Sequence, residues 1–406
     1  MNVKRKALTV AVAAAMTAGV GTASASDVLF FPYVVNSESV TTIVSVIDRG
    51  VPGTARYNAS GQAAVDGNRL HYHLTYKAGD SAGDNAALCD EINYFLPTSP
   101  NDIQTIDLGA HFGGDNYGVL FGDASNNNNY RGALEGSNLT YALAAVAGTP
   151  LRGNLVVNNA ASATPQASLE GEAMVFEFAT GAAWGYKAFI QGDSGRTLAA
   201  GGSRASDFDF SFAASADQAV TFMPLTESRT VFIVTPVNDR GAAGQAFPTP
   251  VIPAEQVTNS MLGADGGASV LGWNSLTTRI DLWASATGVA FDRDENAISG
   301  SRTADVTCVG AVNIQDLMTA GAQRVVENTG GWTNVRTRMP SNLTGGRVPT
   351  RNAVVIKLEF NTAGVFNGQS LASASAFNNA FVLPSRRGLV FGEGVLPGVP
   401  GIPGGS

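Results

Sequence analysis

Glu38-Ser39-Val40-Thr41-Thr42-Ile43-Val44-Ser45-Val46-Ile47-Asp48-Arg49-Gly50 has a counterpart beginning Glu227-Ser228-Arg229-Thr230-Val231-Phe232-Ile233-Val234. The counterpart continues Thr235-Pro236-Val237-Asn238-Asp239-Arg240-Gly241, with two residues inserted. An aromatic–proline segment precedes each copy, Phe30-Phe31-Pro32 in one and Phe222-Met223-Pro224 in the other. Further on, a strand pattern runs into an Asp-rich loop and then a cysteine: Leu70–Lys77 leads to Cys89, and Arg279–Trp283 leads to Cys308. A last pair sets Val175-Phe176-Glu177-Phe178-Ala179-Thr180-Gly181 against Lys357-Leu358-Glu359-Phe360-Asn361-Thr362-Ala363. The order is the same in both halves, and Glu38–Glu177 and Glu227–Glu359 span similar lengths. We read this as an internal duplication, with Cys89 and Cys308 at equivalent positions of two modules and Glu177 equivalent to Glu359.

Working outward, the segments Val28–Val35, Thr41–Ile47, Leu70–Tyr76, Leu151–Val157, Ala173–Phe178, Thr230–Thr235 and Val354–Phe360 are rich in β-branched and aromatic residues. Clusters of Gly, Asn, Asp and Pro separate them, which is the signature of strands joined by turns. Many strands without alternating helices point to an all-β fold: two tandem antiparallel β-sandwich modules, immunoglobulin-like or jelly-roll-like. The expected boundaries are 26–200 for the first module, 201–395 for the second, and 396–406 for a Pro/Gly-rich tail. One helix is expected after Asn313 as cap, on Ile314, Leu317, Met318, Ala322 and Val325, stopping at Gly330-Gly331. A shorter one is expected after Pro253. Gln191–Ser206 reads as a linker and Asn126–Asn129 as a loop tip.

The opening 25 residues have the form of an export signal. Lys4, Arg5 and Lys6 precede an uncharged apolar stretch, Ala7–Val20, and Ala23-Ser24-Ala25 supplies the small residues of a cleavage site. The stretch is short for a membrane span, and no later segment of the sequence is apolar enough for a helical one. A chain ending in Pro403-Gly404-Gly405-Ser406 is not expected to be a membrane β-barrel. Net charge is −8 and becomes more negative once the basic leader is removed. Nucleic acid is therefore excluded as an expected partner. Only 14% of residues are charged, below the usual ~25%, so Asn, Ser, Thr and Gly must supply surface polarity, as on envelope and secreted proteins. In an oxidising compartment the two cysteines, Cys89 and Cys308, are expected to form one disulfide between the modules.

Candidate chemistry is sparse. Gly192-Asp193-Ser194-Gly195 resembles a serine-protease nucleophile segment, but His71, His73 and His111 are the only histidines and none has the context of a catalytic base. His71 and His73 alternate on one strand, with Tyr72, Leu74 and Tyr76 expected to face the core. Asp292, Asp294 and Asn296 have the spacing that opens a calcium loop. Ala297 and Thr303 stand where an EF-hand needs Gly and Glu, so ordinary Asx-turn chemistry competes with an irregular calcium site. Glu177 and Glu359 could serve a hydrolase, yet a duplicated pair suits a shared structural role. Trp184, Trp273, Trp283 and Trp332 could stack on sugar rings or fill cores. These readings lead to an exported, non-enzymatic structural or adhesive protein that assembles with itself or binds envelope proteins or glycans. Val28–Val35, with Pro32, is either an ordinary first strand or one donated to a neighbour. A secreted carbohydrate-active hydrolase, or a glycan- or calcium-binding module, is the alternative.

Overall fold

The β-branched and aromatic runs form strands that pair antiparallel throughout. The structure is a computed structural model that describes residues 28–49, 69–97, 101–109, 111, 119–121, 150–159, 169–178, 182–190, 218–236, 277–286, 288–338, 353–360, 365–366, 369–370 and 378–382. The leader, the 192–195 segment, the linker, the 126–129 tip, Trp273, the Pro253 helix and the tail lie outside these residues.

The first half contains β1 (Val28–Asn36), β2 (Val40–Asp48), β3 (Arg69–Ala78), β4 (Asp90–Pro97), β5 (Asp102–Asp107), β6 (Val119–Phe121), β7 (Leu151–Asn159), β8 (Leu169–Glu177), β9 (Ala182–Lys187) and β10 (Phe189–Ile190). The second contains β11 (Gln218–Phe222), β12 (Arg229–Pro236), β13 (Thr277–Leu282), β14 (Ala290–Asp292), β15 (Ala297–Ile298), β16 (Thr303–Thr307), β17 (Gly310–Asn313), β18 (Gly331–Arg338), β19 (Ala353–Phe360), β20 (Val365–Phe366), β21 (Gln369–Ser370) and β22 (Asn378–Val382). Sheet I runs β10-β1-β7-β3-β4 and sheet II runs β6-β5-β2-β8-β9. Sheet III runs β15-β14-β18-β13-β16, with β11 also on β18, and sheet IV runs β17-β12-β19-β22. None of these sheets closes into a barrel.

The duplication is written in this pairing. The path β1-β7-β3-β4 of sheet I recurs as β11-β18-β13-β16 in sheet III, and β5-β2-β8-β9 of sheet II recurs as β17-β12-β19-β22 in sheet IV. Each set keeps the same chain order. Register corrects the sequence alignment by one residue. Val40 lies opposite Glu177 and Thr230 lies opposite Glu359, so Glu177 and Glu359 do correspond, but Val40 corresponds to Thr230 rather than to Arg229. The side chains agree: Val44 and Val46 point into the first core, and Phe232 and Val234 into the second. A one-residue slip would turn every side chain to the wrong face.

The cysteines are a second correction. Cys89 directly precedes β4, whereas Cys308 directly follows β16, the counterpart of β4. They sit at opposite ends of equivalent strands, not at equivalent positions. They are nevertheless joined, across 219 residues of chain and with Cα atoms 6.1 Å apart. β1 is an ordinary strand of its own molecule, paired with β7 and β10, so it is not free for donation. The expected long helix is also shorter. Ile314–Leu317 forms a 3-10 turn, Met318 is extended, and α1 covers Ala320–Val326 with Thr319 as its cap, accepting from Ala322 N at 3.4 Å. Asn313 does not cap because its side chain is held by Asp316 and Arg229. Val325 is 49% exposed. Gly330, at φ 64°, ends the segment in a conformation that favours glycine. No described helix is long and apolar enough to cross a membrane.

The modules are fused by a half-buried clamp. The Asn85 side chain donates to Ala311 O (2.9 Å) and accepts from Ala311 N (3.0 Å), so it acts as an extra strand residue on the free edge of β17. Its backbone oxygen accepts from Thr307 N at 2.9 Å. Lys77, 1% exposed, donates to Asp84 O (2.7 Å) and Asn85 O (3.3 Å) from behind. Gly310 leaves room for this contact, since a Cβ there would meet Asn85 Oδ1 at 2.4 Å. Thr235 Oγ1 donates to Pro32 O (2.6 Å) at a further point of contact.

Two outcomes follow from the clamp. A Cys89→Ser/Cys308→Ser variant should lose about 2–4 kcal/mol of unfolding free energy, measured by denaturant titration, and Gly310→Ala should lose about 1–3 kcal/mol by forcing Asn85 away. Burial, with Arg152 adding repulsion, pushes the Lys77 ammonium down to about 8 from 10.5. Between those values the unfolded chain holds more protons than the folded one, so this residue's contribution to stability rises with pH. The wild type should therefore gain on Lys77→Met from pH 8 to 9.5, by at most about 1.4 kcal/mol per pH unit. Parallel stability curves for the two proteins would show that the ammonium is not buried as described.

Candidate functional site

The outward face of sheet III gathers the most chemistry in one place. Along β13 and β18 the residues alternate: Ile280, Leu282 and Val335 enter the second core, which turns Arg279, Asp281, Trp332, Asn334 and Arg336 outward. Asp281 and Arg336 are directly opposite in register. The guanidinium grips the carboxylate with two bonds, Nε to Oδ1 and Nη2 to Oδ2, both 2.9 Å. The same guanidinium lies 5.1 Å from the centre of the Trp283 ring. A planar, bidentate pair stacked on an indole has little freedom left. Arg279 and Asp305 form a second bidentate pair at 2.7 and 2.8 Å. At the far end of β18, Trp332 faces Phe291 across the strands, with ring centres 4.9 Å apart and planes 17° from parallel. Trp332 remains 37% exposed. On its other side the neighbour is Thr221 of β11, too short to cover an indole.

The β14–β15 hairpin carries the residues expected as calcium ligands. Asp292 Oδ1 accepts from the backbone N–H of Asp294 and of Asn296, each at 2.9 Å, and Oδ2 accepts from Asn296 Nδ2 at 3.0 Å. These bonds, the Asn296 side chain foremost, hold the Asp292 carboxyl below its ordinary range. Asn296 thus offers a donor to Asp292, and Asp294 is exposed beside Arg293. The Asp292 and Asn296 side chains build an Asx-type turn, closed by Glu295 N to Asp292 O at 3.1 Å, with Glu295 at φ 66°.

The other candidates are dispersed. Tyr72 and Leu74 are buried in the first core and Tyr76 packs against it, as expected, while the His71 and His73 side chains lie outside the described residues. His111 is exposed, with Nε2 2.8 Å from Ser37 O and its ring against Phe178. Among the described residues no three His, Cys, Asp or Glu side chains converge as metal ligands do. Glu359 is buried, 3.1 Å from Lys357 Nζ, and accepts from Met223 N (2.7 Å) and Thr230 Oγ1 (3.2 Å). It ties sheet IV to the end of β11. Glu177 occupies the matching place in the other module, so the two carboxylates belong to separate sandwiches. Trp184 fills the first core, stacked on Tyr33. What the sequence reading missed is that Trp283 and Trp332 share a face. The signal was present: Arg279, Asp281, Trp283 and then Trp332, Asn334, Arg336 alternate with Ile, Leu, Thr and Val at the strand period.

The fold and this face define a duplicated antiparallel β-sandwich protein with an aromatic–arginine outer sheet. Comparison with protein-family models, with curated proteins and with solved structures gives no match.

The hairpin geometry generates a prediction. Glu295→Gly should raise stability by up to about 1 kcal/mol, because glycine adopts positive φ without the cost other residues bear. Millimolar calcium or a chelator should leave the thermal midpoint unchanged, since Asp292 is already satisfied by N–H donors. A calcium-dependent rise in the midpoint, lost in Asp292→Asn, would show that the turn rearranges around a cation.

Proposed function

We propose that the chain is an exported, non-enzymatic surface or extracellular structural protein that adheres or assembles through its sandwich modules. The observation that carries this reading is the buried Cys89–Cys308 bridge between the two modules. A buried disulfide that joins two modules belongs to an oxidising compartment. The leader-like start and the low content of charge support the same reading. Because β1 is consumed in its own sheet, adhesion would use a sheet face rather than a donated strand.

Cell fractionation with intact-mass analysis, followed by electron microscopy of the product, tests it. The expected result is an oxidised chain beginning near Ser26 in the periplasmic, surface or medium fraction, bound to the cell surface or in ordered assemblies. A full-length, reduced chain in the cytoplasm would overturn the proposal.

A further inference from the structure

We infer that the protein assembles with copies of itself head to tail, the outward face of sheet III in one molecule docking on the outward face of sheet II in the next; this rests on the assembling form of the reading above. The contact between the modules supplies the pattern. Sheet I is buried on both sides. Leu29, Leu74, Leu155 and Val157 point into the first core, and Phe30, Thr75, Asn154 and Val156 on the opposite face are also buried. The second module approaches on that side: Asn154 Nδ2 lies 3.9 Å from Cys308 Sγ, and Thr235 of β12 donates to Pro32 O of β1. Sheet IV turns Val231, Ile233, Ile356 and Leu358 towards the first module. The sheets thus stack in the order II, I, IV, III.

Duplication makes this contact repeatable. By strand pairing, sheet III is the second copy of sheet I, and sheet IV is the second copy of sheet II. The modules therefore meet through unlike faces, one of the sheet I kind against one of the sheet II kind. Each end of the stack keeps one of these kinds free, sheet II at one end and sheet III at the other. An interface between unlike faces is not used up in a pair, so it propagates into rings or open filaments. Neither free face stands out by composition. Each is singled out as the copy of a face already docked.

The side chains keep the match. Ile43 and Met174, neighbours across β2 and β8, occupy the places of Ile233 and Ile356 in the docked sheet IV. The covered face of sheet I mixes Phe30 and Val156 with the polar Thr75, Asn154 and Lys77. The outward face of sheet III likewise mixes Phe291 and Trp332 with Arg279, Asn334 and Arg336. Aromatic and arginine side chains are favoured where proteins meet. Ser45 and Glu172 stand where sheet IV has Thr235 and Val354, which keeps the free face wettable before it docks. Cys89 and Cys308 are bonded to each other, so no disulfide joins the copies and association depends on concentration.

The test uses the mature, oxidised chain in sedimentation velocity over a concentration series, with electron microscopy of the product. The wild type should grow beyond a dimer as concentration rises. Met174→Glu on sheet II should weaken association at least tenfold, because it buries an unpaired charge in the contact. Thr221→Glu, at an exposed position of β11 opposite Trp332, should do the same from the sheet III side. Mixed together, the two variants should form dimers and stop there, since the mixture holds one intact face of each kind. That dimer also shows that both variants are folded. A wild type that stays monomeric at its solubility limit would overturn the inference. So would association that only one of the variants abolishes, or a mixture of variants with unchanged thermal midpoints that yields no dimer. A monomer that is still exported and binds whole cells would leave the adhesive reading standing without this interface. A reduced, cytoplasmic chain would remove the exported reading, whatever its state of assembly.

Discussion

A sheet whose strands are apolar on both faces cannot stand in water, and sheet IV is such a sheet. From Thr230 to Pro236 every residue of β12 is buried, and the same holds for β19 from Ala353 to Glu359. Phe232, Val234, Ala353 and Val355 enter the second core, while Val231, Ile233, Ile356 and Leu358 on the other face join the first. Each of those last four side chains is worth about 1.5–3 kcal/mol when buried rather than exposed. The second module therefore cannot part from the first without wetting one face of its central sheet. The disulfide, the Asn85 bonds to Ala311 and the Thr235 bond to Pro32 lie along this contact and fix its geometry rather than supply its driving force.

The duplicated halves show how one scaffold is fitted to two surroundings. By register, Ile43, Ser45, Glu172 and Met174 on sheet II correspond to Ile233, Thr235, Val354 and Ile356 on sheet IV. Where the face is covered, all but Thr235 are aliphatic. Where it meets solvent, Glu172 forms an exposed ion pair with Lys187, and Ser45 and Thr105 exchange a hydrogen bond. Such an exposed pair adds little stability; what it does is keep the face wettable. The inner face of each sandwich, by contrast, remains apolar in both copies.

The same logic explains how much was legible in the sequence. An uninterrupted apolar run such as Thr230–Val234 signals a strand, and the alternation Val44-Ser45-Val46 signals a half-buried one, so the all-β class, the duplication and its broad order could be read directly. The one-residue register could not, because β-branched residues occupy both phases of β12 and periodicity loses its meaning when both faces are buried. The helix after Asn313 was overextended for a related reason. Ile314, Leu317 and Met318 are all buried, but Met318 bridges to Ser301 in an extended conformation. Spacing alone cannot tell a continuous helix from two short pieces that bury the same side chains. The bridge between Cys89 and Cys308 was foreseen from their number and compartment, whereas their placement at opposite ends of equivalent strands depends on pairing, which one sequence does not display.

Burial also decides where a ligand can be met. Sheet IV is enclosed on both faces, and the inner faces of sheets I, II and III are given over to the two cores. Among the described residues, sheets II and III therefore present outward faces with known exposure, and these differ in kind. Ile47 and Ile103 lie side by side on sheet II at 37% and 44% exposure, flanked by Ser45, Thr105 and the Glu172–Lys187 pair. A single pair of half-exposed aliphatics is ordinary on a protein surface. The outward side chains of sheet III are instead locked to one another, Asp281 to Arg336 to Trp283 and Phe291 to Trp332. Locking surface side chains forfeits their rotamer freedom, a cost that stability alone gives little reason to bear when partly exposed ion pairs contribute so weakly. Rigidity of this kind is most useful where a second molecule must find its contacts already in place.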